Sequence, residues 1–163
     1  MVRLGRESAH SQVQIKPEGM RRPSTTIVID AAILIAAVRG RSSGALLQAA
    51  ESSVLVTTDR VMQEARRRIT LGLRRPELIE VLDDLAELLT IVPVAALAPM
   101  LDRCGETLRD AVPSRNGAER DAHVLALAWS VDADVWTTDR DFAGTGVATW
   151  STPNFMRALV EID

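Results

Sequence analysis

The chain has 163 residues, 47% of them hydrophobic and 25% charged, which suits one globular domain with a single buried core. A net charge of −3, with Lys16 as the only lysine, argues against nucleic-acid binding by bulk charge. One cysteine, Cys104, excludes an intrachain disulfide.

Residues 1–24 are polar and arginine-studded, without the apolar centre of a signal peptide, and read as a flexible tail before a domain over 25–163. The longest apolar run, Ala31 to Val38, is too short to span a bilayer, so a cytoplasmic protein without a membrane segment is expected. "TTIVID" (25–30) predicts a buried strand, followed by a helix in "SGALLQAAES". "SVLVTT" (53–58) predicts a second strand, and "DRVMQEARRRITLGL" one continuous helix behind it. "PELIEVLDDLAELL" is a helix with Pro76 at its first position, and "LTIVPV" (89–94) a third strand. Helices follow in "ALAPMLDRCGETLRDA" and "GAERDAHVLALAWSV", then strands in "ADVWTT" (133–138) and "GVATW" (146–150). "TPNFMRALVEI" closes the chain, with Thr152 as cap and Pro153 at the helix start. Strands alternating with helices predict a three-layer α/β/α sandwich around a mostly parallel sheet of about five strands.

Ligands of such sheets sit beyond the carboxyl ends of the strands, where strand order reverses. Asp30 stands after the first strand, and Asp139 after the fourth, with Asp141 close behind. Asp121 opens the helix feeding that strand, while the second strand leads to Asp59 and then Glu64. Acids converging on one sheet edge repel each other unless a cation compensates, and hard ions such as Mg²⁺ favour oxygen ligands of this kind. Rival chemistries lack their residues. No GxxxxGK[ST], no GxGxxG after a strand and no GxSxG elbow is present.

With these acids placed, the chain resembles the PIN-domain ribonucleases of the VapC toxin type. The matching stretches are "IVIDAAILIAA", "VMQEARRRI", "ERDAHVLALA" and "VWTTDRDF", in the family's order. The resemblance implies Asp30, Glu64, Asp121 and Asp139 as catalytic and metal-binding acids, with Asp141 as an auxiliary ligand. It further implies a Mg²⁺ or Mn²⁺ cofactor, an RNA substrate, a homodimer and a cognate antitoxin. One departure is Ala32, where family members often carry a small polar residue; its loss removes a hydrogen bond of the kind that tunes metal affinity.

The tetrapeptide TTDR occurs twice, ending at Arg60 and Arg140. Thr58 or Asp59 could cap the helix carrying Glu64; Asp59 is the expected cap, and Asp139 is expected to do chemistry. Each candidate has a blander reading: a strand-end turn for Asp30, a dipole-favoured charge for Asp121 and an i, i+4 pair with Arg68 for Glu64. His123 follows Asp121 by two helical positions, a rotation of about 200°, and reads as structural. Trp129 and Trp136 read as core rather than base-stacking platforms, since the chain has no tyrosine and only five aromatics. Arg66, Arg67, Arg68, Arg74 and Arg75 read first as a solvated face, with a local patch holding RNA phosphates beside the acids as the alternative; Arg120 and Arg140 neighbour the acids directly and are the expected substrate-binding residues. Two further classes stay open: a non-catalytic PIN-like module that binds RNA or protein, and a structure-selective DNA nuclease. The second lacks the long inserted arch needed to grip a flap.

Overall fold

The computed structural model describes residues 21–111, 118–140, 142 and 144–161, with the side chains of 110, 111 and 118–120 outside that description. Five strands form one parallel sheet in the order β3-β2-β1-β4-β5. They are β1 (Thr26–Ile29), β2 (Val54–Thr58), β3 (Thr90–Val92), β4 (Asp134–Trp136) and β5 (Thr149–Trp150). Among the described residues seven α-helices cover it: α1 (Ala31–Val38), α2 (Ser43–Ser52), α3 (Asp59–Arg67), α4 (Leu78–Ala86), α5 (Ala98–Ala111), α6 (Ala118–Ser130) and α7 (Thr152–Val160). The α1 helix packs on α2, α3 and α4, and α2 on α7; α5 and α6 pack on each other, with α6 lying across β1, β2 and β4. The expected parallel sandwich is therefore present.

β1 is the central strand, and Ile27, Val28 and Ile29 are wholly buried. Chain order runs outward through β2 and β3 on one side of it and returns to β4 on the other. The β1/β4 boundary is thus the switch point, where neighbouring connections leave in opposite directions and open a crevice at the strand ends.

Several local features depart from the sequence reading. α1 was not expected as a helix, because "AAILIAAV" has no polar face to reveal a helical period; Ala31, Ile33, Leu34, Ala37 and Val38 are all buried. The continuous helix expected over residues 59–73 is α3 followed by a π-helical turn, Arg68–Gly72, in which Ile69 is buried. Pro76 does not open α4. Leu78 N–H and Ile79 N–H donate to the carbonyls of Arg75 and Pro76, forming a turn ahead of the helix. At α7 the cap is Ser151, which accepts from Asn154 N–H at 3.5 Å, while the Thr152 hydroxyl accepts from Trp136 Nε1 at 3.0 Å. The fifth strand is trimmed to two residues, since Gly146 (φ +82°) turns the chain just before it.

An acid not singled out from the sequence anchors the opposite end of β4. Asp134 is buried and accepts from Trp150 Nε1 at 2.8 Å and from Ser24 N–H at 3.0 Å. Arg21 adds an ion pair at 3.5 Å. The expected tail over residues 1–24 falls outside the described residues up to 20; Ser24 is tied to β4 by Asp134 and by the Asp132 carbonyl.

α7 closes the sheet through Phe155, which is fully buried between Trp136 (ring centroids 4.8 Å apart) and Trp150 (6.2 Å). Tilted aromatic contacts of this kind combine large apolar burial with favourable ring electrostatics. Phe155→Ala should therefore cost about 3–5 kcal/mol of stability, read from urea unfolding. A loss as small as that of a surface substitution, about 0.5 kcal/mol, would mean that this cluster does not hold α7 to the sheet.

Candidate metal centre

At the carboxyl ends of β1 and β4 lies an open cleft of about 780 Å³. Asp30, Glu64, Asp121 and Asp139 all line it, from β1, α3, α6 and the turn after β4. Four acids separated by as many as 109 positions in the chain thus face one volume.

Asp30 is the most constrained of them. Its backbone N–H donates to the Trp136 carbonyl at 3.2 Å, continuing the β1–β4 ladder by one residue. Its extended backbone then turns into α1, and its Oδ1 accepts from Ala31 N–H at 2.7 Å, so it is also the helix cap. Oδ2 accepts from the Thr137 hydroxyl at 2.7 Å, and the same hydroxyl oxygen accepts from Asp139 N–H at 2.9 Å. Thr137, which is buried, therefore joins two of the acids through one oxygen. Its role was not read from the sequence, although the threonine pair before each Asp of TTDR was visible there.

Burial pushes the Asp30 carboxyl above the usual carboxylate range. The hydrogen bonds from Thr137 and Ala31 act downward, and the charges of Glu64 and Asp139 act upward. Glu64 and Asp139 are thus near enough for their charges to act on Asp30.

Glu64 lies on the half-buried edge of α3, and its Oε1 is 3.4 Å from Arg68 Nε. Glu64 thus both lines the cleft and makes the i, i+4 pair. The Arg66 guanidinium pairs with Asp83, and Arg75 with Glu77, as expected of a solvated face. Arg60, Arg67 and Arg68 instead line the cleft; Arg60 was not singled out from the sequence. Arg140 is exposed and does not line it. Asp141 and the Arg120 side chain lie outside the described residues.

The two TTDR segments flank β1 on either side, and their aspartates part company. The cap of α3 is Thr58 and not Asp59 as expected: its hydroxyl accepts from Val61 N–H at 3.1 Å. Asp59 is the first helical residue and accepts from Val94 N–H at 2.9 Å, fastening α3 to the segment after β3. His123 is buried with Nδ1 2.8 Å from the Thr58 hydroxyl, a structural tie between α6 and α3. It also lines the cleft, which the helical rotation from Asp121 did not anticipate. Trp136 is core, and Trp129 is half-buried beneath the Arg103 guanidinium at 5.7 Å. Burial pushes the Cys104 thiol up to about 11, so it is no nucleophile.

In donor chemistry and in facing a common cavity, the carboxylates fit a hard divalent cation. Among the described residues, however, no three Asp, Glu, His or Cys side chains are already gathered closely enough to hold one. Ala32 stands in the cleft wall, where it offers no hydrogen bond to a ligand.

The Asp30 shift has a consequence for the metal-free chain. A folded value above the unfolded one, about 3.9, means that the folded state binds the proton more tightly. That contribution is complete below the unfolded value and is lost as pH rises through the folded one. Between about pH 4 and pH 7, wild type in EDTA should therefore lose more melting temperature than Asp30→Asn does. Parallel melting curves for the two would show that the group titrates in the fold as it does in the unfolded chain.

The fold is similar to that of a chain in the crystal structure of VapBC2 from Rickettsia felis bound to a DNA fragment from their promoter. The TM-score is 0.62 at 14% identity, covering 77% of this chain and 98% of that one. No curated protein matches in sequence. The family model for the PIN domain matches residues 28–159, a span that contains all four cleft acids. The chain belongs to the PIN domain family.

Proposed function

We propose that the protein is a Mg²⁺- or Mn²⁺-dependent endoribonuclease that hydrolyses phosphodiester bonds in the cytoplasm. The observation that carries this reading is the convergence of Asp30, Glu64, Asp121 and Asp139 on one cleft at the switch point of the sheet. Family membership supports it, since the resemblance read from the sequence implies the same four acids.

Asp30, Glu64, Asp121 and Asp139 would hold the ion, with Asp141 as auxiliary. When bound, the ion would neutralise phosphate charge and make its water more acidic. The chain's own part is positioning. Thr137 holds Asp30 in place and ties down the turn that carries Asp139, while α3 and α6 present Glu64 and Asp121 across the cleft. Water is the nucleophile in this reading, as metal-dependent hydrolysis requires. The likeness to a VapBC2 chain supports a toxin role, with a homodimer and a cognate antitoxin as partners.

A PIN-like binding module without catalysis is the second reading, favoured by Ala32 in the cleft wall and by the Glu64–Arg68 pair. Cleavage of single-stranded RNA with and without Mg²⁺ separates the two. Asp30→Asn, Asp121→Asn and Asp139→Asn should each abolish cleavage, because Asn keeps the shape and lacks the ligand charge. Asp59→Asn should retain most of it, since its side-chain oxygen can still accept from Val94 N–H. Equal loss in Asp59→Asn and Asp139→Asn, with folding intact, would overturn the assignment of the site. Mg²⁺ should also raise the melting temperature of wild type by mass action, and that of Asp121→Asn by less. No cleavage and no Mg²⁺ stabilisation of wild type would hand the lead to the binding module.

A further inference from the structure

The face of α3 turned toward the cleft carries more than Glu64. Arg60, Gln63, Glu64, Arg67 and Arg68 all line the cavity, at spacings that fall on one side of a helix. The opposite side, Val61, Met62 and Ala65, is buried in the core. Arg66 is turned elsewhere and pairs with Asp83 of α4. The helix thus sorts its arginines, with one engaged away from the cleft and three in its wall.

Those three are not equivalent. Arg68 is paired with Glu64. Arg60 and Arg67 are exposed and, among the described residues, have no ion pair. Arg60 also stands in the first turn of α3, where the helix dipole disfavours a cation. An anion held there would meet both the guanidinium and the amide end of the helix. Seven residues of helix separate the two arginines by about 10 Å, with Gln63 between them as an uncharged hydrogen-bonding group. Cations along one wall and carboxylates around the same cleft suit a polyanion whose scissile group must be brought to the acids.

We propose that Arg60, Gln63 and Arg67 form a track that holds backbone phosphates of single-stranded RNA across the cleft. This rests on the nuclease reading above and names its substrate contacts. The track recognises charge and spacing, and leaves the bases unread.

The test is fluorescence anisotropy of a short labelled single-stranded RNA of mixed sequence, titrated with the full chain in EDTA over a series of salt concentrations. Each phosphate contact contributes roughly 0.7 to the log–log salt slope, so Arg60→Gln/Arg67→Gln should lower the slope by about 1.4. Arg60→Lys/Arg67→Lys should restore it, and Arg66→Gln should leave it unchanged. A double Gln variant with the wild-type slope would overturn the track. So would an equal drop in Arg66→Gln, which would mean that bulk charge does the binding. Tighter binding to single-stranded DNA of the same sequence would overturn the assignment to RNA. Arg60- and Arg67-dependent binding of poly-glutamate without RNA binding would assign the row to an acidic protein segment and sink the proposal. Binding in EDTA needs no cleavage, so the two readings fail separately. Arginine-dependent binding by a chain that never cleaves leaves the track standing and removes the nuclease; cleavage without that dependence does the reverse.

Discussion

A carboxylate held at the end of a buried strand is the constraint on which the rest of this structure depends. Asp30 follows three wholly buried residues of the central strand and is itself largely withdrawn from water. An isolated charge in such a place is costly, and the chain offsets that cost with short hydrogen bonds from Ala31 N–H and the Thr137 hydroxyl. Each partner has a structural consequence. The first makes Asp30 the cap of α1, at the end of the helix whose dipole favours an anion. The second clamps the end of β1 to the end of β4, across the boundary where the sheet changes direction.

The central place of β1 also explains why one tetrapeptide serves twice. β2 and β4 both lie beside β1, and the chain at the end of each reads Thr-Thr-Asp-Arg. In both, the first threonine turns its hydroxyl toward the end of β1: Thr57 donates to the Ile29 carbonyl at 2.7 Å, and Thr137 to the Asp30 carboxylate. After that the segments diverge. The β2 copy runs straight into α3, so Thr58 becomes a cap and Asp59 a bracket to Val94. The β4 copy runs into a turn, which leaves Asp139 facing the cleft. The two segments share a local sequence, and the helix or turn downstream of each assigns its role.

Charge in the cleft is balanced locally rather than by the molecule as a whole. The chain carries a net −3, yet α3 brings Arg60, Arg67 and Arg68 to the same cavity as the acids. Because the other side of α3 is committed to the core, the orientation of those arginines is set by Val61, Met62 and Ala65. Packing thereby aims the charged face.

The order of strands and helices was legible in the sequence because buried parallel strands read as short β-branched runs between helical patterns. Asp30 and Asp139 were legible because carboxylates just beyond such strands are costly unless used, and Glu64 and Asp121 because the motifs around them resemble the family's. Features without a periodic signal stayed hidden. α1 is apolar on nearly every side, so its helical period left no trace, and the π-helical turn after α3, with Ile69 buried in it, has no signal in the periodicity. Thr137 as the joint between Asp30 and Asp139, Arg60 in the cleft wall, and His123 at the junction of α3 and α6 depend on contacts between residues far apart in the chain. Sequence alone determined which groups are present and in what order the elements come. Only the tertiary structure decided the contacts by which the two TTDR segments take their separate roles, Thr137 joining Asp30 to Asp139 and Asp59 holding Val94, because those contacts lie in strand order and in the path of the chain beyond the motif.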